Sequence, residues 1–103
     1  MEKVSLRLED NRGEFYIAKG DKELGEMAIG IKGTNLTVYH TGVVPEAEGK
    51  GLAKLLLTTM VDYARKNGLK VIPLCSYVHA QFKRHPEEYA DIWNQEGERE
   101  TKT

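Results

Sequence analysis

A glycine-rich turn, Gly49-Lys50-Gly51, stands where an apolar segment ending at Val44 gives way to a helical pattern. The first backbone N–H groups of a helix have no intrahelical partner, and the helix dipole is positive at that end. The pattern therefore predicts an anion site. It is not a Walker A loop, because Val44 and Gly51 stand where that motif requires a glycine and a serine or threonine. A flexible turn without a ligand is the alternative.

Cys75 is the single cysteine of the chain, and it ends an apolar segment, residues 69–75. A thiol at the end of a strand can serve as a nucleophile or as a proton donor. The alternative is a buried cysteine that packs as a small hydrophobic side chain. The residues alone leave both interpretations open.

His40 lies near the end of an earlier apolar segment, and its imidazole has a pKa range suited to accepting a proton near neutral pH. The alternative is that His40 has a structural role and its imidazole makes its hydrogen bonds inside a sheet, on the face that it shares with Leu36 and Val38. The sequence favours neither interpretation over the other.

Composition narrows the classes of function. With a formal net charge of -1, the chain of 103 residues has no overall basic field that would attract nucleic acid or an acidic membrane. No apolar run approaches the length of a membrane span. One cysteine cannot form an internal disulfide, so we expect a reducing compartment, the cytoplasm. His79 and His85 fit no zinc spacing with Cys75, so we expect no metal site.

Four short segments with alternating apolar residues precede the turn. They cover residues 3–9, 15–18, 24–31 and 36–44, and polar turns that contain glycine separate them. Alternation with a period of two, interrupted by such turns, predicts an antiparallel meander. In the fourth segment we expect Leu36, Val38 and His40 on one face.

After the turn the period becomes that of a helix. Apolar residues between 52 and 64 fall within an arc of roughly 180°, and Gly68 ends the pattern after a basic last turn. Residues 69–75 then predict a buried strand, parallel to the fourth one through a right-handed crossover. Short helices between residues 77 and 93 complete one domain, residues 1–93. The polar residues 94–103 are expected to form a disordered tail.

Residues 44–53, followed by this helix and strand, resemble motif A of the GNAT N-acetyltransferase superfamily. The resemblance implies a GNAT-like α+β fold: a mixed, mostly antiparallel sheet of about five strands, one long helix packed across it, and short C-terminal helices. It also implies acetyl-CoA as the co-substrate. Its pantetheine arm would meet the backbone of Val43 and Val44. Its pyrophosphate would lie against Gly49, Lys50, Gly51, Leu52 and Ala53.

Three motifs narrow the resemblance to a small branch of short, minimal acetyltransferases. They are Glu48-Gly49-Lys50-Gly51, Pro73-Leu74-Cys75 with an aromatic residue soon after it, and Arg84-His85-Pro86-Glu87-Glu88-Tyr89. In this branch the cysteine is proposed as catalytic, which implies that Cys75 lies near the acetyl thioester. The branch also carries the pair His40-Thr41. Glu48 replaces the arginine or glutamine of the wider superfamily, and its carboxylate would repel a pyrophosphate unless it points away.

The resemblance implies an acetyl-CoA-dependent acyltransferase acting on an amine. Cys75 would either take the acetyl group as a thioester or protonate the departing coenzyme A thiolate, and His40 would accept a proton from the attacking amine. The rival interpretation is a non-catalytic coenzyme A-binding or protein-interaction module. Turns at residues 10–13 and 19–22 stand where larger acetyltransferases place helices that bind the acceptor. That acceptor could be a small molecule, a peptide or a protein.

Overall fold

The computed structural model describes residues 3–102, so residues 1, 2 and 103 of the predicted ranges 1–93 and 94–103 lie outside the described residues. The elements follow in this order: β1 (Val4–Glu9), β2 (Arg12–Lys19), β3 (Lys22–Lys32), β4 (Asn35–Val43), a single 3-10 turn (Pro45–Ala47), α1 (Leu52–Lys66), β5 (Lys70–Pro73), α2 (Ser76–Arg84), α3 (Pro86–Tyr89) and α4 (Gln95–Lys102).

The strands form one sheet in the order β1-β2-β3-β4-β5. Antiparallel pairing joins the first four strands, and β5 runs parallel to β4. The predicted α+β fold with a mixed, mostly antiparallel sheet is confirmed. Between β1 and β2, Asp10 and Asn11 take positive φ angles of 53° and 70°. Such a two-residue turn matches the twist of the strands, and these two residue types tolerate the left-handed conformation.

The helix α1 packs across the sheet through the face that the sequence predicts. Its buried residues are Leu52, Leu56, Leu57, Met60, Val61 and Ala64. They share one core with Phe15, Ile17, Met27, Ile29, Leu36 and Val38 of the sheet. Truncating one of the large side chains to alanine would cost roughly 2–5 kcal/mol of folding free energy. The helix ends where predicted, with Gly68 at a positive φ of 65° beyond its last residue.

A β-bulge interrupts β4 at Tyr39. Val38 pairs with Ile29 of β3, and His40 pairs with the adjacent Ala28. Tyr39, which lies between them in β4, is therefore left without a partner. Side chains alternate along a strand, so one extra residue exchanges the two faces of β4 beyond that point.

The bulge corrects the predicted placement of His40. Leu36 and Val38 are buried against the core, as expected, but His40 is exposed on the opposite face of the sheet. Thr41 takes the inward position instead, opposite the buried Met27 of β3. The prediction of one shared face was wrong because the unpaired residue shifts the alternation of inward and outward positions along β4. The residue types around it do not reveal this shift.

The strands β4 and β5 part at the bulge. They pair only over residues 35–38 and 70–73. Beyond that point Leu74 and Cys75 both donate their N–H groups to the carbonyl oxygen of Val38, at 3.0 and 2.9 Å. The chain then turns into α2, while β4 continues to Val43. In the described part of the chain, one edge of β4 therefore has no strand beside it from residue 39 onward.

The structure differs from the sequence-based expectation at the C-terminus, where residues 95–102 form α4. The carboxylate of Glu98 is buried, accepts a hydrogen bond from Trp93 Nε1 at 2.9 Å, and lies 2.6 Å from His79 Nδ1. This contact is close, but its geometry is not that of a well-formed hydrogen bond. Gly97 lets the helix approach the sheet, since a Cβ there would lie 2.9 Å from Ile72 Cδ1.

The segment before α4 extends the edge of the sheet. Val71 of β5 donates its N–H to Ile92 O at 2.5 Å and accepts a hydrogen bond from Asn94 N at 2.9 Å. The side chain of Asn94 donates to Asn35 Oδ1 at 2.9 Å. These contacts fix the position of the chain as it enters α4. No helix within residues 3–102 is both long enough and apolar enough to cross a membrane.

Candidate active site

An open cleft of about 480 Å³ lies at the N-terminal end of α1. Its lining residues come from the end of β4, from the loop before α1, from the first turn of α1 and from α2. They are Val43, Ala47, Glu48, Gly49, Gly51, Leu52, Ala53, Lys54 and Tyr77. Five of the seven residues predicted to bind the coenzyme are among them. Of the other two, Val44 lines a smaller neighbouring pocket and Lys50 is exposed beside the loop.

The loop before α1 depends on two glycines in the left-handed conformation. Gly49 and Gly51 have φ angles of 84° and 76°. A Cβ built on either residue would meet no atom within 4 Å, so the backbone conformation, and not lack of space, requires glycine at both positions. Gly51 is the N-cap of α1 and no side chain caps this end. The N–H groups of the first turn therefore have no side-chain acceptor at this end of the helix, where the sequence predicts an anion site.

Charged side chains of both signs surround this loop. Lys54 lines the cleft and Lys50 is exposed beside it, whereas Glu48 adds a carboxylate to the lining. A second carboxylate, Glu46, is paired with Lys22 of β3. The hydrogen bond from Lys22 holds the pKa of Glu46 below its ordinary value. The pair neutralises one of the two carboxylates near the loop and leaves Glu48 as the unfavourable charge for an anionic ligand.

Cys75 lies where β4 and β5 part. Its side chain is buried, and Sγ donates a hydrogen bond to Thr41 Oγ1 at 3.2 Å. The residue is also the N-cap of α2, and its backbone N–H is bonded to Val38. The thiol thus bridges the separated part of β4 and the start of α2. Thr41 reaches this position only because the bulge turns it inward.

Tyr77 joins the cleft to the surroundings of the thiol. Its side chain lines the cleft two residues after Cys75, in the first turn of α2. Burial raises the pKa of its phenol, and the electrostatic effect of the nearby Cys75 side chain adds a smaller shift in the same direction. Tyr77 therefore keeps its proton at neutral pH. The sequence predicts Tyr77 only as part of a short helix and carries no signal for its position in the cleft.

His40 does not share a face with the Cys75 thiol. It points from the exposed side of the sheet, with Gly42 beside it: a Cβ on Gly42 would lie 3.1 Å from His40 Nε2. The structure thus brings together five residues of the predicted coenzyme site, from β4, the loop and the start of α1, and places Cys75 next to Thr41. It places His40 on the other side of the same strand.

Two further lining residues, Ala47 and Lys54, are absent from the sequence-based site. Ala47 is buried within the 3-10 turn, and Lys54 occupies the third position of α1. Lys54 could have been found from the sequence, because a cation in the first turn of a helix is unfavourable for the helix dipole and therefore suggests an anionic ligand. Ala47 carries no such signal.

An acidic group lies on the exposed face of the sheet, and two of its members, Glu23 and Glu26, line the smaller pocket that neighbours the cleft. Carboxylate oxygens of Glu14, Glu23 and Glu26 lie within 4.8 Å of one another. Arg7 donates to Glu14 at 2.7 Å and to Glu23 at 3.0 Å. The guanidinium compensates part of the negative charge, and we interpret the group as a surface ion-pair network.

Comparisons with known proteins agree with the fold. A model of the GCN5-related N-acetyltransferase family matches residues 14–92. Mycothiol acetyltransferase of Renibacterium salmoninarum is 45% identical over 56 residues, which are 54% of this chain and 14% of that enzyme. The chain therefore spans about a seventh of the length of this curated relative.

Two solved structures share the fold. A GCN5-like protein from Staphylococcus aureus has a TM-score of 0.66 and 29% sequence identity, and the match covers 87% of both chains. The ribosomal-protein-S18-alanine N-acetyltransferase of Escherichia coli has a TM-score of 0.59 and 18% identity, and the match covers 64% of this chain and 43% of that enzyme. The second likeness concerns the fold alone.

Proposed function

Because the chain belongs to the GCN5-related N-acetyltransferase family, we propose that it transfers the acetyl group of acetyl-CoA to an amine. The observation that carries the proposal is the parting of β4 and β5 directly beside a glycine loop that leaves the N-terminus of α1 uncapped. The separated edge of β4 suits an amide-containing arm, and the uncapped helix suits a pyrophosphate.

The fit between the loop and a pyrophosphate rests on main-chain donors. The left-handed Gly49 and Gly51 expose backbone atoms, and Lys50 and Lys54 add positive charge close by. Glu48 is exposed, so its side chain is free to turn toward solvent when an anion binds. Val43, Val44, Leu52 and Ala53 complete the proposed coenzyme-binding set.

Cys75 has two proposed roles that differ in chemistry. As a nucleophile it would form a thioester with the acetyl group, and as an acid it would donate its proton to the departing coenzyme A thiolate. Its hydrogen bond to Thr41 holds the thiol in a fixed orientation beside the separated strands. A single turnover with acetyl-CoA and no amine distinguishes the two. An acetyl group on Cys75 in the intact-protein mass spectrum supports the nucleophile, and its absence removes that role.

His40 is proposed as the base that receives the proton of the attacking amine. Its exposed position on the opposite face of β4 requires that the amine approach from that side of the sheet. Substituting His40 with alanine should lower turnover while leaving the affinity for acetyl-CoA unchanged. Turnover equal to that of the native chain would remove His40 from the mechanism.

The principal test combines binding with transfer. Acetyl-CoA in excess of its dissociation constant must raise the midpoint of thermal unfolding by mass action. Release of free coenzyme A thiol should then depend on an added amine. Stabilisation without any amine-dependent release would support the rival function, a coenzyme A-binding module. Absence of stabilisation at high acetyl-CoA would exclude both.

The acceptor is proposed only as a class, an amine on a small molecule, a peptide or a protein. The short turns on either side of β2 build no wall around the exposed face of the sheet, so a large acceptor has access to His40. The cytoplasm is the proposed location, since a single free thiol suits a reducing compartment.

A further inference from the structure

The strand β1 forms an open edge of the sheet. It stands last in the strand order, with β2 on one side and, in the described part of the chain, no strand on the other. Its six residues include no proline and no bulge. A regular edge of this kind offers unpaired backbone N–H and C=O groups to another strand.

A mostly apolar groove and an apolar projection accompany this edge. The groove has a volume of about 330 Å³ and lies between β1 and α1. Its lining consists of Val4, Leu6, Phe15 and Tyr63 together with the polar residues Thr59, Asp62 and Lys66 of α1. The projection is Leu8, near the end of β1, which is 42% exposed. Leu8 is on the same side of the strand as Val4 and Leu6, whose cross-strand partners Ile17 and Phe15 are buried core residues.

We propose that β1 pairs antiparallel with β1 of a second copy of this chain, around a two-fold axis at Leu6, so that each Leu8 enters the groove of the other copy. A self-complementary contact of this kind closes as a dimer. The two sheets would join into one continuous sheet. The two α1 helices would lie on the same side of it.

The charges on the other side of β1 select this register. With Leu6 opposite Leu6, Lys3 of each copy faces Glu9 of the other, so two pairs of opposite charge form across the axis. Both side chains are exposed, and neither takes part in an ion pair within the described part of the chain.

Neighbouring registers are worse. An axis at Arg7 would set two guanidinium groups opposite each other. An axis at Ser5 would set Lys3 opposite Arg7, a pair of like charges. A shift of the pairing by a single residue would place the α1 helix of one copy on the opposite side of the joint sheet, with the apolar side chains facing polar ones.

The first test measures the mass of the full chain by sedimentation equilibrium over a range of concentrations. We expect a reversible dimer, and we expect Leu8→Lys to raise its dissociation constant roughly tenfold or more, because a charge would enter a mostly apolar groove. The matched control is Tyr39→Lys, since Tyr39 is 44% exposed but lies in β4, away from the edge. A chain that is monomeric at every concentration, or a dimer that Leu8→Lys leaves intact, overturns the proposal.

A charge exchange tests the register. Lys3→Glu and Glu9→Lys should each raise the dissociation constant, by roughly 2- to 10-fold, because each sets like charges opposite one another twice. The double variant should return it to near the native value. Failure of this rescue overturns the axis at Leu6. Thermal unfolding of each variant verifies that the fold is retained, as expected for substitutions at exposed positions.

Discussion

The loop before α1 and the segment that ends in α4 both place the start of a helix, yet they do so with different atoms. The loop is shaped by the backbone of Gly49 and Gly51, and its helix start is left uncapped. The C-terminal segment is held by backbone hydrogen bonds to Val71 and by side chains, above all by the buried carboxylate of Glu98 near Trp93 and His79. The loop leaves backbone N–H groups free for a ligand, whereas the polar groups of the C-terminal segment contact other residues of the same chain.

The difference implies that the two regions should respond to substitution in separate ways. Changes in the C-terminal segment should cost stability and leave coenzyme binding intact. Changes in the loop should cost coenzyme binding beyond any loss of stability. Four experiments test this division, in order of decreasing expected effect.

The largest effect is expected for Glu98→Ala. The substitution leaves Trp93 Nε1 without its acceptor and His79 Nδ1 without a nearby negative charge, so we expect a loss of roughly 2–4 kcal/mol in the free energy of unfolding. Urea denaturation measures it. Glu96→Ala, at an exposed position of the same helix, is the control and should change stability by less than about 0.5 kcal/mol. Reduced affinity for acetyl-CoA in the folded Glu98 variant would contradict the division.

A valine at position 51 tests the backbone-shaped loop. Gly51→Val forces a β-branched residue to a φ of 76°, which should cost roughly 1–3 kcal/mol of stability and weaken acetyl-CoA binding by distorting the helix start. Gly20→Val is the matched control, because Gly20 has a φ of 63° and equally open surroundings in the turn between β2 and β3. Calorimetric titration of acetyl-CoA should separate the two variants. Equal affinities in the two would refute the proposed role of the loop.

Thr41→Val tests the contact across the parted strands. Loss of the acceptor for the Cys75 thiol should lower the free energy of unfolding by about 0.5–1.5 kcal/mol and change the rate at which Cys75 reacts with an alkylating reagent. Thr41→Ser keeps the hydroxyl and should restore the native rate. If both variants react alike, the hydroxyl does not orient the thiol.

The smallest effect concerns pH. Hydrogen bonds from Arg65 hold the pKa of Asp91 below its ordinary value, and this pair joins α1 to the chain that leads to α4. A depressed carboxyl pKa contributes stability that is present above the unfolded value, near pH 4, and is lost as pH falls through the folded value. Because the pair is exposed, the contribution is small. NMR titration of Asp91 should show its pKa rise toward the ordinary value in Arg65→Gln.

The sequence predicts the parts of the molecule that depend on periodicity or on glycine. The apolar period of α1, its end at Gly68 and the glycine-containing turn before α1 are all confirmed. These features depend on local chemistry: which side chains avoid water and which residue tolerates a positive φ. The same is true of the meander, whose alternation and turn residues specify its hairpins.

Features that depend on one extra residue in a strand or on a single buried polar group are not predictable in this way. The unpaired Tyr39 reversed the expected face of His40, since no residue type marks the insertion. The polar sequence of α4 gives no apolar stripe, because one carboxylate and the small Gly97 make its contacts. Tyr77 entered the cleft because α2 begins at Ser76, a boundary that local propensity does not define.

The bulge at Tyr39 has a consequence for how the active site tolerates changes in chain length. Removing this one residue would leave strict alternation along β4 with the present faces, so His40 would stay outward while Thr41 and Val43 would stay inward. If Tyr39 instead paired with Ala28 at unchanged chain length, His40 would turn toward the core and Thr41 away from it, and the Cys75 thiol would lose its partner although no residue had been substituted. The alternation of side chains along this one strand thus determines that His40 lies on one side of the sheet and the partner of the Cys75 thiol on the other.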